Sequence, residues 1–237
     1  MVSVSGFKQH MADSDSLLVH CAGAAQGMGT AFTRSLAPLE RLQYAVRRRG
    51  EIEISCSIVS PGDVWNPGAK RMNYYGPIGL VVAPLDDGSV GAAIASGYGT
   101  QMDASNPDRR TYPEAVRAQS IDCVYRAMAE RPSDGCNEIT LYRYEVLGVF
   151  LQEWMRLFDH RIGKEIEVTQ QMVRDAFAGL PIFYIHFGRL YACAWNEANQ
   201  RYDIQHHVHS RDIYTAPVAS TSALSRGDIG TAPEASA

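Results

Sequence analysis

A handful of side chains in this sequence would make coherent chemistry if the fold gathered them. His20 lies inside the apolar run Leu17–Ala22 (LLVHCA), and Ser55 lies in Glu51–Val59 (EIEISCSIV). Arg71, Tyr74 and Tyr75 close a long stretch rich in Pro, Gly and Asn that runs from Ser60 to Gly76, and Asn137-Glu138 opens NEITLYRYEVLGVFL. A carboxylate beside a ribose stabilises an oxocarbenium-like state and orients a hydroxyl while a glycosidic bond breaks. An aromatic face suits a flat cationic ring, and an arginine suits a phosphate.

The order of these residues resembles the ADP-ribosyltransferase superfamily, including its DNA-modifying toxin branch. The resemblance spans residues 17–151. It implies NAD as substrate, ADP-ribose transfer to a protein or nucleic-acid target, and the setting of a bacterial toxin, effector or phage-conflict protein. It assigns Glu138 as the catalytic carboxylate and Arg71 as a phosphate or transition-state contact. His20, Ser55, Tyr74 and Tyr75 would hold the dinucleotide, with Tyr75 stacked on nicotinamide. Ser55-Cys56-Ser57 stands where the family carries a Ser-Thr-Ser triplet.

Other groupings offer different chemistry. GAAQGMG, Gly23 to Gly29, follows an apolar run and resembles the cofactor loop of short-chain dehydrogenases, whose glycines let backbone amides approach a pyrophosphate. That family also needs Tyr-x-x-x-Lys. The lysines here are Lys8, Lys70 and Lys164, preceded four residues earlier by Val4, Asn66 and His160. Among His206, His207 and His209 of QHHVHS, His207 and His209 would share a face on a strand and could seat a metal if Asp203 or Asp212 supplied one more ligand. Cys56 or Cys136 would serve as a nucleophile only beside a base that sequence order does not reveal. A non-enzymatic interaction or regulatory module, docking through edge strands and long loops, is the alternative from a different class.

Bulk composition narrows the classes. With 26 acidic and 22 basic residues the net charge is −4, which disfavours a general nucleic-acid binder but leaves room for a local basic patch. Apolar runs such as Ile78–Ala83 and Val146–Leu151 fall far short of the roughly 20 residues that a membrane-spanning helix needs. The first residues, MVSVSGFKQHMADSDS, lack the apolar segment of a secretory signal. Five cysteines without a C-x-x-C pair are neither a disulfide framework nor a zinc ribbon. A cytoplasmic protein, or one exported without a cleaved signal, is expected.

The elements that must position these residues read as α+β: mainly antiparallel sheets with three or four helices packed on them. Residues 1–16 are expected to be a loose arm, 17–215 a single domain, and 216–237 a disordered tail poor in large apolar residues. Helices are expected over Pro38–Arg49, over Pro113–Arg131, and over Thr169–Ala178 with Met172, Val173, Ala176 and Phe177 inward. Ile78–Ala83 and Ser89–Ala95 should pair as a hairpin about Asp-Gly, and Ile182–His186 and Arg189–Trp195 as another about Phe187-Gly188.

Overall fold

The computed structural model describes residues 3–22, 36–49, 51–52, 54–59, 78–87, 89–94, 138–141, 143–152, 156–159 and 161–215. For 55, 57, 90–94 and 138–140 it describes the backbone alone. Within this set the fold is α+β, built on a nine-stranded, mainly antiparallel sheet.

The first element corrects the expectation of a loose arm. Helix α1, Val4–Asp13, starts where the Ser3 hydroxyl accepts the Gly6 amide proton at 3.1 Å. Phe7 and Met11, one turn apart, lie on the same side of the helix and are fully buried. This pair anchors the ten-residue helix to the core, and a polar average conceals it.

Strand β1 (Leu17–Ala22) pairs antiparallel with β2 (Ile54–Val59) on one side and with β3 (Ile78–Pro84) on the other. The remaining strands are β4 (Val90–Ile94), β5 (Glu138–Leu141), β6 (Tyr144–Leu151), β7 (Arg156–Asp159), β8 (Lys164–Glu167), β9 (Ile182–His186), β10 (Arg189–Asn196) and β11 (Arg201–His207). Across the large sheet the order is β11-β10-β9-β6-β3-β1-β2-β5-β4, while β7 and β8 form a separate ribbon. Among the described residues only β6 and β9 pair in parallel.

The hairpin expected between the two runs around Pro84-Leu85-Asp86-Asp87-Gly88 does not form. β3 is buried at every position and already pairs with β1 and β6, so it has no free edge for β4. β4 pairs with β5 at the far edge instead. The second expected hairpin is present, with Arg189 opposite His186.

Helix α2, Pro38–Arg47, begins with Pro at a position that needs no amide hydrogen, and buries Leu39, Leu42 and Ala45. Helix α3, Gln170–Ala176, is capped by the Thr169 hydroxyl, which accepts from the Met172 amide at 3.2 Å. Val173 and Phe177 point inward as expected, but Met172 is exposed. The Gln43 side chain donates to the Ala176 carbonyl at 3.2 Å, joining α2 to α3. Helix α4, Ser210–Tyr214, packs on α1: the Ser210 hydroxyl donates to the Met11 carbonyl at 2.8 Å. The Tyr214 hydroxyl accepts from the Leu18 amide at 2.7 Å and donates to the Val82 carbonyl at 3.3 Å.

These helix pairs lie on opposite faces of the sheet. Successive strand residues point to opposite sides. In β6, Tyr144 reaches α2 and Glu145 reaches α1, where its carboxylate meets Lys8 at 2.5 Å. The centre of the sheet is therefore the middle of three layers. Close approach between β6 and β9 requires Gly148, since the Phe183 ring fills the space a Cβ would occupy and the Pro181 carbonyl lies 2.7 Å away.

The helix expected over Pro113–Arg131 and the tail over 216–237 lie outside the described residues.

Candidate functional site

The register separates the two ends of the sequence-derived site. His20 is partly buried in β1, opposite Leu80 of β3. β2 stands between β1 and β5, so the backbones of β1 and β5 are about 10 Å apart. Val19 pairs with Ser57, and Cys56 pairs with Ile139. By alternation, positions 19, 57 and 138 belong to one face of the sheet, and positions 20, 56 and 139 to the other. The fold therefore does not bring His20 and position 138 together on one side. Position 55 falls on the face of 57, while Arg71, Tyr74 and Tyr75 lie outside the described residues, as do Gly23–Gly29 and Cys136.

The late histidines do not complete a metal centre. His206 and His207 are consecutive in β11 and take opposite faces, while His207 and His209 meet edge-to-face with ring centroids 4.4 Å apart. Asp212 instead accepts the His209 amide, and Asp203 engages Asn196. Among the described residues no group of three or more ligand-type side chains is placed to hold a metal ion.

A different constellation assembles at the end of the sheet. Tyr184, Tyr191 and His207 are cross-strand partners on β9, β10 and β11, forming a row that crosses three strands. Tyr191 and His207 make an edge-to-face contact at 5.7 Å. Along β9, His186 stacks on Tyr184 at 5.8 Å and meets Phe187 edge-on at 4.2 Å. His209 extends the array from His207. Tyr184, His186 and Tyr191 are partly exposed, and His207 is exposed.

The three strands contribute little charge to this face. Arg189, Tyr191, Cys193 and Trp195 alternate onto the same face of β10, and Arg189 lies opposite His186. Arg189 is the only formally charged residue that β9, β10 and β11 place on that face. Asp203, the single carboxylate of these strands, pairs opposite Ala194 on the other face. A β-bulge beside Ala192/Cys193 keeps His207 in the row while β11 continues through Ile204. Burial pushes the Cys193 thiol up to about 11, with Asp203 adding to the shift.

Helix α3 covers the far end of the same face. Arg174 lies over the Trp195 ring at 5.0 Å, and Trp195 meets Tyr202 edge-on at 5.1 Å. The Gln170 side chain accepts the outward amide of Tyr202 at 2.6 Å, closing that half of the edge strand. Burial raises the Tyr202 hydroxyl to about 12.

The hairpin tip carries local cost. Phe187 and Gly188 have φ of 46° and 72°, the two positive angles of a tight two-residue turn. Such turns favour Asn, Asp or Gly at both positions, and a bulky residue there is an outlier. Phe187 is nonetheless 65% exposed. His186 Nδ1 is buried with no hydrogen-bond partner among the described residues. Costs of this kind collect where a surface is used. In the sequence, the signal for this site is a Phe in a two-residue loop.

No family model matches this chain, and no curated protein or solved structure matches it at a significant level. No described helix is long and apolar enough to cross a membrane.

Proposed function

We propose that this chain is a non-enzymatic binding module whose working surface is the ring-bearing face of β9, β10 and β11. The observation that carries the reading is the continuous array from Tyr184 through His186 to Phe187, with Tyr191 and His207 beside it, ending in an exposed phenylalanine held in a left-handed turn. Rigid aromatic side chains supply contact area at low entropic cost, and they concentrate at binding surfaces. The competing proposal is NAD-dependent ADP-ribose transfer to a macromolecule. It needs His20 and Glu138 in one cleft, and their separation across β2 favours the module.

Calorimetric titration of the full chain with NAD+, combined with an assay for released nicotinamide, tests the choice. The module gives no heat and no nicotinamide. Turnover of NAD+ that disappears in Glu138→Gln would overturn it in favour of the transferase.

A further inference from the structure

We infer that the occupant of the ring-bearing face is a single-stranded nucleic acid. The inference rests on the binding-module reading of the same face and gives that face a ligand. Sheet surfaces that display aromatic rings from adjacent strands bind unpaired bases by stacking, because every base offers a π-face. Tyr184, Tyr191 and His207 supply such rings on three neighbouring strands, and Phe187 projects another beyond them.

The strands of this face do not oppose the same ligand by charge. The face carries Arg189 and no carboxylate from its own strands, while Asp203 is turned away and held by Asn196. Glu197, in the turn between β10 and β11, is held by Arg174. An anionic backbone is tolerated here even though the whole chain has a net charge of −4. With Arg189 as the one guanidinium from the strands themselves, and Arg174 of α3 engaged by Glu197, stacking supplies the larger share of affinity. Salt dependence is correspondingly shallow, since it scales with the number of phosphates neutralised. A duplex keeps its bases stacked internally and offers them to no side chain in this geometry.

The test is fluorescence anisotropy of the full chain with labelled oligo-U and oligo-dT of about ten nucleotides, a length within single-domain site sizes, and with a duplex of equal length. Single strands should bind and the duplex should not. Tyr191→Phe keeps a ring and should retain affinity. Tyr191→Leu keeps apolar bulk alone and should weaken binding about tenfold. His206→Ala, on the opposite face, should leave it unchanged. The inference is overturned if no single strand binds below about 100 µM, the weak end of non-specific affinity, if the duplex binds equally, or if Tyr191→Leu binds like Tyr191→Phe. Binding of a proline-rich peptide that is lost in Tyr191→Leu, with none of either single strand, would overturn the nucleic acid and leave the module standing. NAD+ turnover dependent on Glu138 would overturn the module itself.

Discussion

Tyr144 and Glu145 are adjacent in β6 yet hold opposite layers of the protein: the Tyr144 hydroxyl donates to the Ala45 carbonyl of α2 at 2.7 Å, and the Glu145 carboxylate meets Lys8 of α1 at 2.5 Å. Ala45 belongs to the last turn of its helix, where carbonyls lack intrahelical partners. Tyr144→Phe should therefore cost about 1 kcal/mol in urea unfolding at neutral pH. Burial holds the Tyr144 hydroxyl well above its ordinary range. Only the unfolded chain ionises it near pH 10, so its contribution is complete below that pH and declines above it. The gap between wild type and Tyr144→Phe should narrow from about pH 10 upward.

Asp159 carries the opposite dependence. It is 1% exposed and bound by its neighbour Arg161, whose Nη2 lies 2.7 Å from the carboxylate. The hydrogen bond to Arg161 holds the carboxyl below the usual carboxylate range. Its contribution to stability is present above about pH 4, the unfolded value, and is lost as pH falls through the lower folded value. Asp159→Asn should lower Tm at pH 7 and flatten the acid limb of the Tm profile below about pH 4. An acid limb as steep as that of the wild type would refute this role.

Phe187 should separate stability from binding. A left-handed conformation costs an ordinary residue roughly 1–2 kcal/mol, and glycine escapes that cost while losing somewhat more backbone entropy. Phe187→Gly should leave urea stability unchanged or raise it by up to about 1 kcal/mol. The same variant should weaken partner binding, read by anisotropy. A clear loss of stability would mean that the ring supports the fold.

Cys193 should be slow to react. With its thiol at about 11, little thiolate exists at pH 8. Alkylation there should be on the order of a hundredfold slower than for an ordinary exposed cysteine, measured by peptide mapping over time. Rapid labelling would show that the Ile182–Cys193 part of the sheet opens readily.

Local signals carried much of the fold. The apolar spacing of Pro38–Arg47, the Thr169 cap of Gln170–Ala176, and the turn at Phe187-Gly188 are short-range features that the structure reproduces. α1 escaped because its anchoring pair, Phe7 and Met11, sits among polar residues. The false hairpin after Pro84 arose because an Asp-Gly turn indicates a reversal without saying which strand will be paired. The candidate site was less legible still. Tyr184, Tyr191 and His207 meet through pairing register and a bulge, and neither is written in local sequence. For the same reason, sequence order did not reveal that β2 would part His20 from Glu138.

The parallel seam between β6 and β9 has a mechanical consequence. It joins the strands only over Val149–Leu151 and Ile182–Tyr184, whereas β3 and β6 pair from Ile78 to Pro84 with one register shift between Val81 and Val82. Everything beyond that seam is one uninterrupted stretch of chain, 182–207. Such a stretch can detach as one cooperative piece while the centre stays intact. Amide hydrogens of β10 and β11 should then exchange together, ahead of those of β3, and a ligand seated on their rings should slow them as a group.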